Sequence, residues 1–220
     1  MSLKDKMLTV PFVVCAVIVL AAVGGSLLVQ PSALNLVIGA AATALLVVCV
    51  GLIPADDLAG FYRFTAWVFV FGALLNVAYE LWHSVYYTHF SLPGMAYPAQ
   101  VRMLLTASVS DGFLAVVSLF AVTAVRRGRW RWDATRRWSD VIFVAMVALA
   151  IQVGVELEAL STGRWGYTDL MPLIPLLRVG LTPAIQMPLL MLPILSLAQR
   201  VSGCPATPSA QGWAAGSAGS

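Results

Sequence analysis

The sequence predicts an all-α integral membrane bundle of six transmembrane helices, with both termini on the cytoplasmic side. Three observations carry that prediction. Of the 220 residues, 60% are hydrophobic and only 10% are charged, with a mean hydropathy of +0.87. A soluble domain covers its surface with about 25% charged residues, so this chain has too few to face water. Six stretches reach the ~20 apolar residues that a bilayer crossing requires. The basic residues are also distributed unevenly among the connections between those stretches.

The stretches lie at about 8–29, 34–53, 64–83, 104–125, 141–160 and 180–198. The first is longer than the apolar region of a cleaved signal peptide, and a second span follows at once, so it reads as retained. VQPSALN joins the two, with Pro31 stopping one helix and starting the next. Placing the N-terminus inside puts Lys4, Lys6, Arg63, Arg126, Arg127, Arg129, Arg131, Arg136, Arg137 and Arg200 on the cytoplasmic side. Only Arg102, Arg164 and Arg178 then face out, as the positive-inside rule demands.

RRGRWRWDATRRWSD becomes a cytoplasmic staple, with Trp130, Trp132 and Trp138 as interfacial anchors. Its interleaved bases and aromatics also suit phosphoinositide or nucleic acid. The positive-inside rule explains them without either, and no nucleic-acid partner is expected. The 161–180 segment reads as an outer, proline-broken interfacial or re-entrant cap. Residues 1–200 thus form one six-span domain, multi-pass in the plasma (inner) membrane. Residues 201–220 form a flexible Gly/Ala/Ser/Pro-rich tail. Cys15, Cys49 and Cys204 are odd in number and widely spaced, so no disulfide framework is implied.

Ionisable residues within spans are costly and mark sites by default. In the third span Asn76, Glu80, His83 and Tyr87 share one helix face. Ser108, Asp111 and Ser118 share a stripe of the fourth, and Gln152 and Glu156 a face of the fifth. Gln186 lies one turn inside Thr182 and Pro183 in the sixth. With the N-terminus inside, all of these fall in the outer half of the membrane, while the inner halves (FVFGALL, FLAVVSLF, VIFVAMVALA) are almost purely aliphatic. Four polar faces at one depth predict a shared cavity. Glu158 points away from Glu156 and is expected to pair with Arg164 at the rim.

Carboxylic acids gathered under hydrocarbon suit general acid–base chemistry, in which one donates a proton to an olefin or a leaving group. The candidate catalytic residues are Glu80, Asp111 and Glu156, with His83 as a relay. Asn76, Trp82, Tyr86, Gln152, Trp165, Tyr167 and Gln186 are candidate substrate-binding residues, and the aromatic faces among them suit a carbocation. No resident cofactor is expected. The alternative is a divalent cation held by Glu80, His83, Asp111 and Glu156, a set that favours Mg²⁺, Mn²⁺ or Ca²⁺ over zinc.

HxxxH, HxxHH and DDxxD patterns are lacking, which argues against a di-iron desaturase or a prenyl diphosphate site. The paired aspartates of DDLAG fall on the cytoplasmic side. No lysine lies in a span, which excludes a retinal Schiff base. GxSxG, P-loop and Rossmann fingerprints are also lacking.

GRWGYTDLMPLIPLLRVGLTPAIQMPLL resembles the repeats of the small heterodimeric or fused lycopene cyclases. Those carry a Gly-x-Trp-aromatic element and then a Gly-Leu-Pro-x-Glu-Glu that opens the next span. Gly163, Trp165 and Tyr167 match the first element, and Gly180, Leu181 and Pro183 match the start of the second. Ala184, Ile185 and Gln186 stand where the acidic pair, that family's acid, would be. The stretch also resembles small bacterial polytopic membrane proteins with a Gly-Arg-Trp-x-Tyr…Met-Pro…Pro-x-x-Gln signature. In its set of chemical groups, though not in aligned segments, the chain is similar to sterol isomerases of the emopamil-binding type.

The resemblances imply an intramembrane enzyme that isomerises or cyclises a lipid or isoprenoid drawn from the membrane. Against this stand a binder or transporter of a small ligand, proton or cation using the same cavity, and a structural membrane subunit.

Overall fold

The computed structural model describes residues 33–88, 96–132 and 138–203. Five α-helices run through them: α1 (Ala33–Leu52), α2 (Leu58–His83), α3 (Tyr97–Val125), α4 (Trp138–Ser161) and α5 (Leu181–Val201). A short 3₁₀ turn, Ser84–Tyr86, extends α2. Among the described residues there is no strand, only two isolated bridges, Tyr87 with Tyr167 and Leu173 with Gly180. Four of the helices, α2 to α5, are long and apolar enough to cross a membrane, and Val37–Leu52 of α1 is a shorter apolar helix. The stretch expected at 8–29 and most of the 201–220 tail lie outside the described residues.

Helix ends follow local chemistry. Pro98 occupies the first turn of α3, where its missing N–H costs no intrahelical bond. After Val125, Arg127 and Gly128 turn left-handed with φ of 53° and 84°, and the Gly128 N–H reaches back to Thr123 O at 2.9 Å. A Cβ on Gly128 would lie 2.6 Å from Leu52 O, so the chain can turn beside the end of α1 only with glycine there. Pro188 and Pro193 are accommodated inside α5.

α3 is the central and most deeply buried element, packed on α2, α1, α4 and, more lightly, α5; α5 also packs on α2 and α4. The closest approach is at glycines. A Cβ on Gly72 would meet the Gly112 Cα at 2.9 Å, and one on Gly112 would meet Phe69 O at 2.9 Å and Ala73 N at 3.0 Å. Without a hydrophobic force between helices in lipid, such small-residue contacts let backbones pack closely. This crossing lies one turn from Asn76 and adjoins Asp111, so it draws those two helix faces together.

At the far end of the bundle Phe61, Phe64, Phe120 and Trp130 form an aromatic cluster, with Trp130 centroids 5.5 Å from Phe64 and 6.0 Å from Phe61. Trp130 and Trp132 are buried in the core. The expected interfacial anchoring therefore fails for these two. The loop folds under α2, where Arg131 binds Asp57 at 2.6 Å and the Trp132 N–H donates to Gln199 at 3.0 Å. Trp138, 82% exposed, keeps an outward position.

Candidate functional site

The polar faces of α2, α3, α4 and α5 meet at the end of the bundle where α2 and α4 finish. Gln186 on α5 is the hub, and it is fully surrounded. Its Nε2 lies 2.7 Å from Asn76 Oδ1, 3.0 Å from Asp111 Oδ2 and 3.3 Å from Glu80 Oε1. Asn76 is oriented by its own helix, its Nδ2 donating to Gly72 O at 2.7 Å. One side chain from α5 therefore ties together two faces of α2 and α3 that the sequence marks only by spacing.

Glu156 on α4 is enclosed separately, with only 2% of its surface exposed. It accepts three hydrogen bonds: from Tyr167 Oη at 2.5 Å, Trp165 Nε1 at 3.2 Å and Tyr87 Oη at 3.2 Å. Two of those donors come from the cap between α4 and α5. The cap is fixed to α2 by backbone pairing: the Thr168 N–H donates to Tyr86 O at 2.9 Å and the Thr88 N–H to Gly166 O at 3.0 Å. The Tyr87–Tyr167 bridge thus places both phenols on one carboxylate.

Burial first, and then the charge of Glu156, push the Tyr167 phenol well above the usual tyrosine range; a backbone hydrogen bond at Gly180 acts the other way. Tyr87 is raised for the same first two reasons, with Glu80 as a further neighbouring charge. Both phenols therefore stay donors at any ordinary pH. Glu156 is close enough to Glu80 and Asp111 for their charges to act on one another. Among the described residues none of the three forms an ion pair.

Glu158 does form one. It is bound by Arg164, as its position on the opposite face of α4 predicts, and the Arg164 guanidinium lies 5.0 Å from the Trp165 ring. The neighbouring glutamates of α4 are thus separated by role, one held by a cation and one by neutral donors.

His83 ends α2 on the face that also carries Asn76 and Glu80. Its Nε2 is hydrogen-bonded to the Thr182 hydroxyl at 2.9 Å, and that hydroxyl also lies 3.2 Å from Met171 Sδ. The other ring nitrogen, Nδ1, is buried without a hydrogen-bond partner among the described residues. His83 has no hydrogen bond to a carboxylate among them, so the expected relay has no direct link to the acids. Its ring packs against Tyr79 and Tyr87, each with a centroid 4.9 Å away, and Tyr79 Oη donates to Thr182 O at 2.7 Å.

Of the other predicted residues, Gln152 is buried one turn deeper than Glu156, and its Oε1 is unpartnered. Trp82 is 56% exposed and turned outward, stacked beside His83. Tyr86 is half-buried and contributes its backbone carbonyl to the cap. Ser108, one turn from Asp111, is buried with an unpartnered hydroxyl. Among the described residues no three His, Cys, Asp or Glu side chains are grouped to hold a metal ion.

The selection of site residues from sequence omits Tyr87 and Thr182. Tyr87 shares a helix face with Asn76 and Glu80, which was the available signal; Thr182 has none beyond its place one turn outside Gln186. Compared with known proteins, the chain matches no family model, no curated protein and no solved structure.

Proposed function

We propose that this protein is an intramembrane acid–base enzyme that isomerises or cyclises a lipid or isoprenoid. One observation carries the reading: Glu80, Asp111 and Glu156, from three different helices, lie at one end of an apolar bundle with no ion pair among the described residues to neutralise them. Glu80 and Asp111 share one amide donor, and two carboxylates that close cannot both stay ionised under hydrocarbon, so the pair stores a proton.

The hydrogen bonds support a division of labour. Glu156 accepts from three donors, the pattern of an ionised carboxylate. The Gln186 amide has two hydrogens for three acceptors, a shortage relieved when Glu80 or Asp111 carries a proton of its own. Environments that separate two carboxyls in this way assign acid and base.

The Glu80–Asp111 pair then protonates one carbon of a double bond. The cation formed is stabilised by the faces of Tyr87, Trp165 and Tyr167, and Glu156 removes a proton from a neighbouring carbon. One proton enters and one leaves, so the double bond moves without net change. Attack of a second double bond on the cation before proton loss closes a ring instead. The proton on Glu156 returns to the Glu80–Asp111 pair before the next turnover. With the N-terminus inside, this chemistry lies in the outer half of the plasma membrane.

The closed hydrogen-bonding of Gln186 favours a second reading, in which the cluster only locks four helices together. Lipids extracted from cells expressing the protein or its Glu80→Gln, Asp111→Asn or Glu156→Gln variants separate the two. The enzymatic reading expects a species with a shifted double bond or a new ring, reduced about 10²–10⁴-fold in each folded variant. An unchanged lipid profile from three folded variants leaves only the structural lock.

A further inference from the structure

The cap has two faces of opposite character. Met171 and Val179 are buried, whereas Leu170, Leu173, Leu176 and Leu177 are exposed, Leu176 by 93% and Leu170 by 73%. This outward leucine surface is held in a fixed shape. The Ile174 N–H donates to Val179 O at 2.8 Å, the Arg178 N–H to Ile174 O at 2.8 Å and the Leu181 N–H to Pro172 O at 2.7 Å. Arg178, left-handed with φ of 54°, closes the turn and is exposed beside the leucines.

A rigid turn that presents four leucines and one arginine is poorly suited to water and well suited to the boundary between acyl chains and headgroups. Two further observations set its depth. Trp82, 56% exposed, lies four residues before Tyr86, whose carbonyl holds the cap, or about 6 Å along the helix. Tyr97, 77% exposed, begins α3 at the same end. Outward aromatics at a helix end mark the headgroup level. The surface also continues along α5 through exposed Leu181, Ile185 and Leu189, the face that meets lipid in any spanning arrangement.

We propose that the cap is a membrane-docking element: the turn from Leu170 to Arg178 is seated in the leaflet at its end of the bundle. Leu173, Leu176 and Leu177 enter the acyl region, and Arg178 reaches the lipid phosphates. The same segment carries Trp165 and Tyr167, so the bilayer acts as the partner that holds two of the three donors on Glu156 in place. The inference rests on exposure and backbone pairing, and stands whether or not the carboxylate cluster is catalytic.

The test uses the full chain with Cys15, Cys49 and Cys204 replaced by alanine or serine, and a single nitroxide at Leu176→Cys or Asp169→Cys. Both sites are exposed and in the same cap, so a folding defect affects them alike. In phosphatidylcholine–phosphatidylglycerol vesicles, oxygen should relax the label at 176 several-fold more effectively than a water-soluble nickel chelate, with the order reversed at 169. Equal access of the chelate to both sites overturns the proposal. Exclusion of both reagents from 176 also overturns it: recovery on dilution to one chain per vesicle identifies a second copy as the cover, and no recovery identifies packing within the chain.

Discussion

The two ends of the bundle solve the same problem by different means. At the end where α3 gives way to α4, acids are matched with cations: Arg131 with Asp57 at 2.6 Å and Arg126 with Asp140 at 3.1 Å. Packed rings of Phe61, Phe64 and Trp130 fill the space between helices. At the cap end the acids Asp111 and Glu156 are matched with an amide, phenols and an indole, and Arg164 is taken by Glu158. A cation fixes the charge of its partner, whereas a neutral donor leaves the proton count of a carboxyl adjustable. The first end fixes the charge of its acids, and on the proposed function the second leaves theirs free to change.

The largest effect expected from breaking that contrast is at Gln186. Gln186→Leu removes the shared donor and orphans the oxygens of Asn76 and Asp111, at about 1–3 kcal/mol for each buried acceptor. Thermal unfolding in detergent should show the loss, and adding Asn76→Leu should recover part of it, because an apolar pair leaves one orphan fewer.

Tyr167→Phe comes next, at about 1.5–3 kcal/mol for one hydrogen bond to the ionised Glu156 of the proposed function, and it also has a pH signature. Tyr167 keeps its proton to higher pH folded than unfolded. Its contribution is therefore complete below the unfolded value of about 10 and is lost as pH rises toward the folded value. The fall in melting temperature above about pH 10 should be shallower in the phenylalanine variant. An identical slope would mean that the phenol is not held as described.

Arg131→Ala should matter least. The Asp57 side chain is 40% exposed and that of Arg131 27%, and exposed pairs are worth about 0.2–1 kcal/mol. A loss well beyond that would show that the far end also depends on its charges, and would weaken the comparison.

Much of this was legible in the sequence, because hydrophobic length and helical spacing are local properties. The stretch expected at 141–160 is the helix Trp138–Ser161, and that at 180–198 is Leu181–Val201. Spacing placed Gln152 with Glu156, and turned Glu158 away toward Arg164. What spacing does not reveal is which groups meet across helices. Nothing local announces that Gln186 bridges Asn76 and Asp111, or that His83 turns to Thr182 rather than to an acid. Trp130 and Trp132 read as interface anchors because arginines surround them, yet their rings are drawn into the core by Phe61 and Phe64. Gly72 and Gly112 have no distinguishing context in sequence; only the crossing of α2 and α3 shows why a side chain at either has no room.

The position of Gln186 so late in the chain has a bearing on biosynthesis. A ribosome makes Glu80 and Asp111 long before it makes the amide that both of them contact, and Glu156 before the cap that encloses it. The α2–α3 pair must therefore wait in the membrane with its acids unattended, and the emergence of α5 ends the wait. Truncation before Leu181 would leave those two helices with unshielded carboxyls, a form that membrane quality control could tell from the finished protein.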